Sequence, residues 1–97
     1  MATVMFMHWP EVTKEKYEQV RNDVKWETNV PNGAKFHVAW WAADGFHVLD
    51  LWDSQPQFER FVQDRLTGAV QRAGITTQPN VEFAVILIAC ITAPKIA

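Results

Sequence analysis

His37 and Asp50 are the residues of this sequence best suited to chemistry. An imidazole ionises near neutral pH, and a neighbouring carboxylate can hold it in one tautomer. Trp52 stands two residues after Asp50 and Trp41 four after His37, so all of them fall on one face if they lie on paired strands. The chemistry this implies is a pocket in which His37 acts as general base or as hydrogen-bond donor to a substrate oxygen. Asp50 orients the ring, and Trp52 and Trp41 supply flat apolar walls. His8, at the end of the first apolar run, is a further candidate for substrate contact, placed to join Asp50 and Trp52 if its strand lies beside theirs. The same residues also make sense as structure alone. A carboxylate buried among aromatics is costly unless paired, and a His37–Asp50 hydrogen bond satisfies both groups with or without a reaction.

Positioning these residues requires a hairpin of Ala34–Ala42 with Phe46–Asp53, and Asp44-Gly45 between them suits a type I′ turn. With those two as the turn, Trp41 faces Val48, Ala39 faces Asp50 and His37 faces Trp52. A loop longer by two residues shifts the partners but leaves the faces unchanged. One face carries His37, Ala39, Trp41, Phe46, Val48, Asp50 and Trp52. The other carries Phe36, Val38, Trp40, His47, Leu49 and Leu51.

The rest of the chain supplies matching elements. Thr3–Trp9 reads as a strand stopped by Pro10, and Thr13 as the N-cap of a helix whose stripe is Tyr17, Val20 and Val24. Lys25–Gly33 returns the chain to the sheet. Ser54 with Gln57 forms a capping box for a second helix with stripe Phe58, Phe61, Val62, Leu66, Ala69, Val70 and Ala73, ending at Gly74. Gly68 inside that helix costs about 1 kcal/mol relative to Ala, which predicts a bend or break near it. Val81–Ile91 is the last strand.

The order β-α-β-β-α-β over residues 1–97 predicts one α+β domain of ferredoxin-like type. Its antiparallel four-stranded sheet has strands one and three central and both helices on one face. Such a sheet ordinarily turns polar residues outward, yet both faces of the hairpin and of the last strand are apolar. The open face therefore needs a cover, and a second copy is the expected one, giving a homodimer.

Composition narrows the function classes. A net charge of -2 gives no general attraction to nucleic acid or anionic membrane. The apolar run near the C-terminus is too short to span a bilayer. The first residues lack the basic segment and small-residue cleavage site of a secretory signal, and Cys90 is the single cysteine, so the cytoplasm is the expected compartment. Three histidines on separate strands are metal ligands by type, but their spacing matches no metal motif, and no metal or other cofactor is expected. An RNA-recognition motif shares the element order, but it needs a basic residue before the Gly-Phe that Asp44 precedes here.

His37-Val38-Ala39, the Asp44-Gly45 turn, the run Val48-Leu49-Asp50-Leu51-Trp52-Asp53-Ser54, and the helix start Phe58-Glu59-Arg60-Phe61 followed by Arg65-Leu66 resemble the dimeric α+β barrel superfamily, of the antibiotic-biosynthesis-monooxygenase type. Gly68 stands where similar sequences often have proline. The resemblance implies a ferredoxin-like fold pairing into a dimeric barrel. It also implies a small-molecule role, either cofactor-independent monooxygenation or isomerisation of a small apolar or aromatic compound, or ligand binding without catalysis. An enclosed cavity below about 100 Å³ would favour the non-catalytic role. Haem degradation in resembling enzymes uses a helix-borne His, and neither predicted helix has one.

Overall fold

The computed structural model describes residues 2–86. Its first strand, β1 (Ala2–Trp9), ends at Pro10, and Thr13 then caps α1 (Lys14–Val24) by accepting the Lys16 N–H at 3.2 Å. The helix stops at Lys25, whose φ of 56° is left-handed and whose N–H closes onto the Arg21 carbonyl. After the loop come β2 (Ala34–Ala42) and β3 (Gly45–Trp52). The second helical stretch has three parts: α2 (Gln55–Phe61), a π-helical turn (Val62–Leu66) and α3 (Thr67–Arg72). The final strand, β4 (Asn80–Ile86), covers the start of the expected Val81–Ile91 strand; the remainder lies outside the described residues.

The sheet order is β2-β3-β1-β4 with every neighbouring pair antiparallel, so strands one and three are central as the sequence predicts. The hairpin register differs from expectation. Ala42 pairs with Gly45, Trp41 with Phe46, Ala39 with Val48 and His37 with Asp50. Ala43 and Asp44 form the turn without positive φ, and Gly45 alone takes the left-handed region at 108°. This is the pattern of a type I turn closed by a glycine bulge, rather than type I′. Pairs move along the strands, but face parity is preserved.

Each face has a distinct fate. Met5, Met7, Trp9, Phe46, Val48 and Trp52 point toward the helices and are buried against Val24, Phe58, Phe61 and Ala69. On the opposite face Phe6 is 43% exposed, Phe36 53%, Val38 38% and Trp40 41%. The helices are tied across their ends: Arg72 donates a two-pronged pair to Asp23, and Lys16 donates to the carbonyls of Ala73 and Gly74. The Asp23 carboxyl is held below its usual range by the Arg72 hydrogen bond. The break predicted near Gly68 is the π-turn just before it. Ser54, by contrast, caps no backbone N–H; its hydroxyl donates to Gln57 Oε1 at 2.9 Å. Among the described residues no helix is long and apolar enough to cross a membrane.

Candidate functional site

Direct pairing of His37 with Asp50 across β2 and β3 sets their side chains together on the helix-facing side. His37 Nδ1 lies 2.6 Å from Asp50 Oδ1, and Trp52, two residues along the same face, donates its indole N–H to Asp50 Oδ2 at 3.1 Å. Both carboxylate oxygens are thus engaged in a position only 3% exposed. A carboxylate only accepts, so Nδ1 donates to Asp50, and the neutral tautomer that this selects has Nε2 as its acceptor. The Tyr17 hydroxyl of α1 meets that nitrogen at 2.8 Å. The result is a chain Trp52–Asp50–His37–Tyr17 running from the core toward the helices. Burial pushes the Tyr17 phenol above its usual range, so at neutral pH it is a protonated donor.

Trp26, from the loop after α1, tilts over His37 with ring centroids 4.8 Å apart, and meets Trp52 and Phe61 edge-on. Beneath this assembly lies a cavity of about 110 Å³. Its wall is mostly apolar, including Met5, Val48 and Phe58, and the polar groups reaching it are those of Tyr17, His37, Asp50, Arg21 and Glu27. Arg21 bonds to both Glu18 and Glu27, and its hydrogen bond holds the Glu27 carboxyl below its usual range.

Of the residues singled out in the sequence, His37 and Asp50 come together and face the cavity. Trp52 is fully buried and acts on Asp50 instead of forming the cavity wall. Trp41 holds the Val12 carbonyl through its indole N–H at 2.9 Å and stands edge-on to Tyr17, outside the lining. His8 does not join Asp50 and Trp52. It belongs to the opposite parity of β1, on the open face, where it pairs with His47. Tyr17 and Trp26 were not singled out for chemistry. Tyr17 read as one apolar member of a helical stripe; its signal was that it is the single tyrosine of the chain, a hydroxyl aimed into a core. Trp26 fell in the connecting loop, whose path no local pattern specifies.

No protein-family model matches this sequence, nor does any curated protein. Solved structures do. A protein of unknown function from Nitrosomonas europaea aligns over 96% of this chain and 95% of its own, with TM-score 0.62 and 14% identity. SnoaB, a cofactor-independent oxygenase from Streptomyces nogalater, aligns over 97% of both chains with TM-score 0.61 and 13% identity. The chain shares the ferredoxin-like fold of these structures. A candidate antibiotic biosynthesis monooxygenase from Deinococcus radiodurans aligns over 97% of this chain and all of its own, with TM-score 0.57 and 13% identity. Identity this low speaks for the fold; the chemistry must be argued from the site.

Proposed function

We propose that this protein is a homodimeric small-molecule enzyme that removes a proton from a compact, largely apolar compound, enolisable or phenolic, held in the cavity between sheet and helices. Proton removal is the step that a cofactor-independent monooxygenase and an isomerase share. The carrying observation is the Asp50–His37–Tyr17 chain ending at an apolar cavity. A substrate proton passes to the Tyr17 oxygen as the phenol proton moves to His37 Nε2, and Asp50 steadies the imidazolium that forms. This relay never needs a free phenolate, which suits a phenol whose ionisation burial opposes. Trp52 locks the second Asp50 oxygen, so the imidazole is held in one orientation. The oxygenase named among the structural neighbours supports the monooxygenase branch by analogy of fold. The lone cysteine fits the cytoplasm.

Cavity size limits the substrate: about 110 Å³ is near what one aromatic ring fills. It is short of the several hundred cubic ångströms usual for drug-sized ligands. A second reading, a ligand-binding or structural dimer, rests on a different observation: His37 and Asp50 satisfy each other, and no buried side-chain polar atom is left unpaired among the described residues. Turnover decides between the two. A panel of single-ring phenols and small enolisable ketones is assayed by deuterium exchange at the acidic position and by oxygen uptake. Loss of a general base predicts a fall of about 10²–10⁴-fold in kcat for His37→Gln and a comparable loss for Tyr17→Phe. Unchanged turnover of a confirmed substrate by His37→Gln would remove the catalytic role.

A further inference from the structure

A second cluster of ligating side chains lies on the open face of the sheet, away from the cavity. His8 and His47 oppose each other directly across the β1–β3 ladder, which sets their rings parallel, 4.5 Å apart and inclined by 10°. Trp40, across from His47 on β2, stacks on its other side at 5.3 Å and 9°. His47 is therefore clamped between two rings. Asp44, in the turn that joins β2 to β3, leans over both imidazoles. Its Oδ1 is 2.7 Å from His47 Nε2 and its Oδ2 3.6 Å from His8 Nε2, while its main-chain oxygen accepts from His8 Nε2 at 2.8 Å. One donor atom from each residue lies within 4.8 Å of the others.

We propose that His8, Asp44 and His47 bind a divalent transition-metal ion of the zinc type. Two imidazole nitrogens and one carboxylate oxygen are the donors that zinc, cobalt, nickel and copper accept, whereas magnesium and calcium require mostly oxygen. Metal–ligand bonds near 2.0–2.1 Å place donors about 3.4 Å apart in a tetrahedron. The 3.6 Å between His8 and Asp44 already meets that distance. The widest separation, within 4.8 Å, closes by small side-chain rotations, which a turn carboxylate 62% exposed permits. Each imidazole has the same nitrogen, Nε2, near one carboxylate; binding asks each ring to move its proton to Nδ1, and His8 to give up its bond to the Asp44 main-chain oxygen. The two rings stand side by side, and binding tilts them out of their parallel stack so that both Nε2 lone pairs meet at one ion. Three protein donors leave one tetrahedral position for water or for a group from outside the chain. The site is independent of the reaction assigned to His37, which faces the other side of the sheet.

The test titrates metal-free protein with Co²⁺, read by its visible d–d absorption, and with Zn²⁺, read by calorimetry. The expected result is one ion per chain with micromolar dissociation. His8→Gln and His47→Gln each weaken binding by at least about 10–100-fold, Asp44→Asn weakens it as well, and His37→Gln leaves it unchanged. Circular dichroism checks that each variant is folded, and Asp44→Asn, in an exposed turn, is the variant least able to disturb the sheet. No cobalt spectrum up to millimolar metal overturns the proposal. So does binding that survives the His8→Gln/His47→Gln double variant, and so does binding lost in His37→Gln, which would put the ion on the other face.

Discussion

The proton on Tyr17 decides what the site can do, and it can be observed directly. Tyr17 is the single tyrosine, so tyrosinate absorbance near the ultraviolet edge reports this group alone. Burial raises its pKa in the folded protein, mainly by desolvation. The sign follows: the neutral phenol is favoured by folding, and its contribution to stability is intact below the unfolded-state pKa. That contribution is lost as pH rises through the folded value. A spectrophotometric titration is expected to give a midpoint above that of the urea-unfolded chain; a midpoint below it would mean that His37 drives phenolate formation. Trp52 offers a second check. Trp52→Phe keeps most of the apolar bulk but removes the donor to Asp50 Oδ2, with an expected loss of about 1–3 kcal/mol in denaturant unfolding. Trp52→Ala adds a cavity and should cost about 3–5 kcal/mol. Half of this site was legible in the sequence, because alternation alone puts His37, Asp50 and Trp52 on one side of a hairpin. Tyr17 was hidden, since reaching His37 depends on how α1 lies across the sheet, a tertiary fact that helical spacing does not carry. His8 escapes the site for two reasons that the sequence does not carry: antiparallel pairing sets the end of β1 beside His47 at the start of β3, away from Asp50 and Trp52, and parity sends its side chain to the far face.

At the scale of elements, the irregularities explain how the site is held. The π-turn Val62–Leu66 widens the second helical stretch and carries Arg65, whose guanidinium donates to the carbonyls of Val24 and Asn29. Those carbonyls close the end of α1 and the loop that bears Trp26, so the bulge fastens the cavity's cover to α2 and α3. Gly68, inside the helix, announced the interruption without saying that it would be a bulge. The Asp44-Gly45 turn shows a different limit. Asp-Gly suits two hairpin turns, and the choice rests on whether Asp44 or only Gly45 takes positive φ. Here Gly45 lies against Pro10, and a Cβ on it would stand 2.6 Å from Pro10 Cα. Gly45→Ala therefore meets both a left-handed φ of 108° and a backbone clash, with an expected loss of about 1–3 kcal/mol by thermal or denaturant unfolding. A variant as stable as the parent would mean that the β1 end can retreat from the turn.

For the molecule as a whole, the sheet divides labour between its faces, and this division was the most legible feature of the sequence. Alternation assigned the hairpin residues from Phe36 to Trp41 and from Phe46 to Trp52 to their correct sides even though the pairing register slipped; only the start of β2, where the register shifts between Ala34 and Phe36, departs from it. The helix-facing side is closed by the chain itself. Phe6, Phe36, Val38 and Trp40 on the other side remain substantially exposed, and Phe36, Val38 and Trp40 stand on β2, an edge strand. Edge strands of monomers are ordinarily guarded by charge, since apolar edges invite association. With these side chains about half exposed, the chain of 11.1 kDa gives up roughly half of the 1.5–3 kcal/mol that full burial of each would contribute, which a second copy meeting the same face would recover. Sedimentation equilibrium is thus expected to give twice the chain mass, and the thermal midpoint should rise with protein concentration, because the dimer binds only folded chains. Val38→Glu places a charge at the middle of β2 on the open face, with no hydrogen bond of its side chain to lose and no core contact on the helix side. It should yield a folded monomer whose melting no longer depends on concentration. A parent protein that stays monomeric at micromolar concentration would show that this face serves some other partner, while a Val38→Glu variant that remains dimeric would move the interface off the sheet.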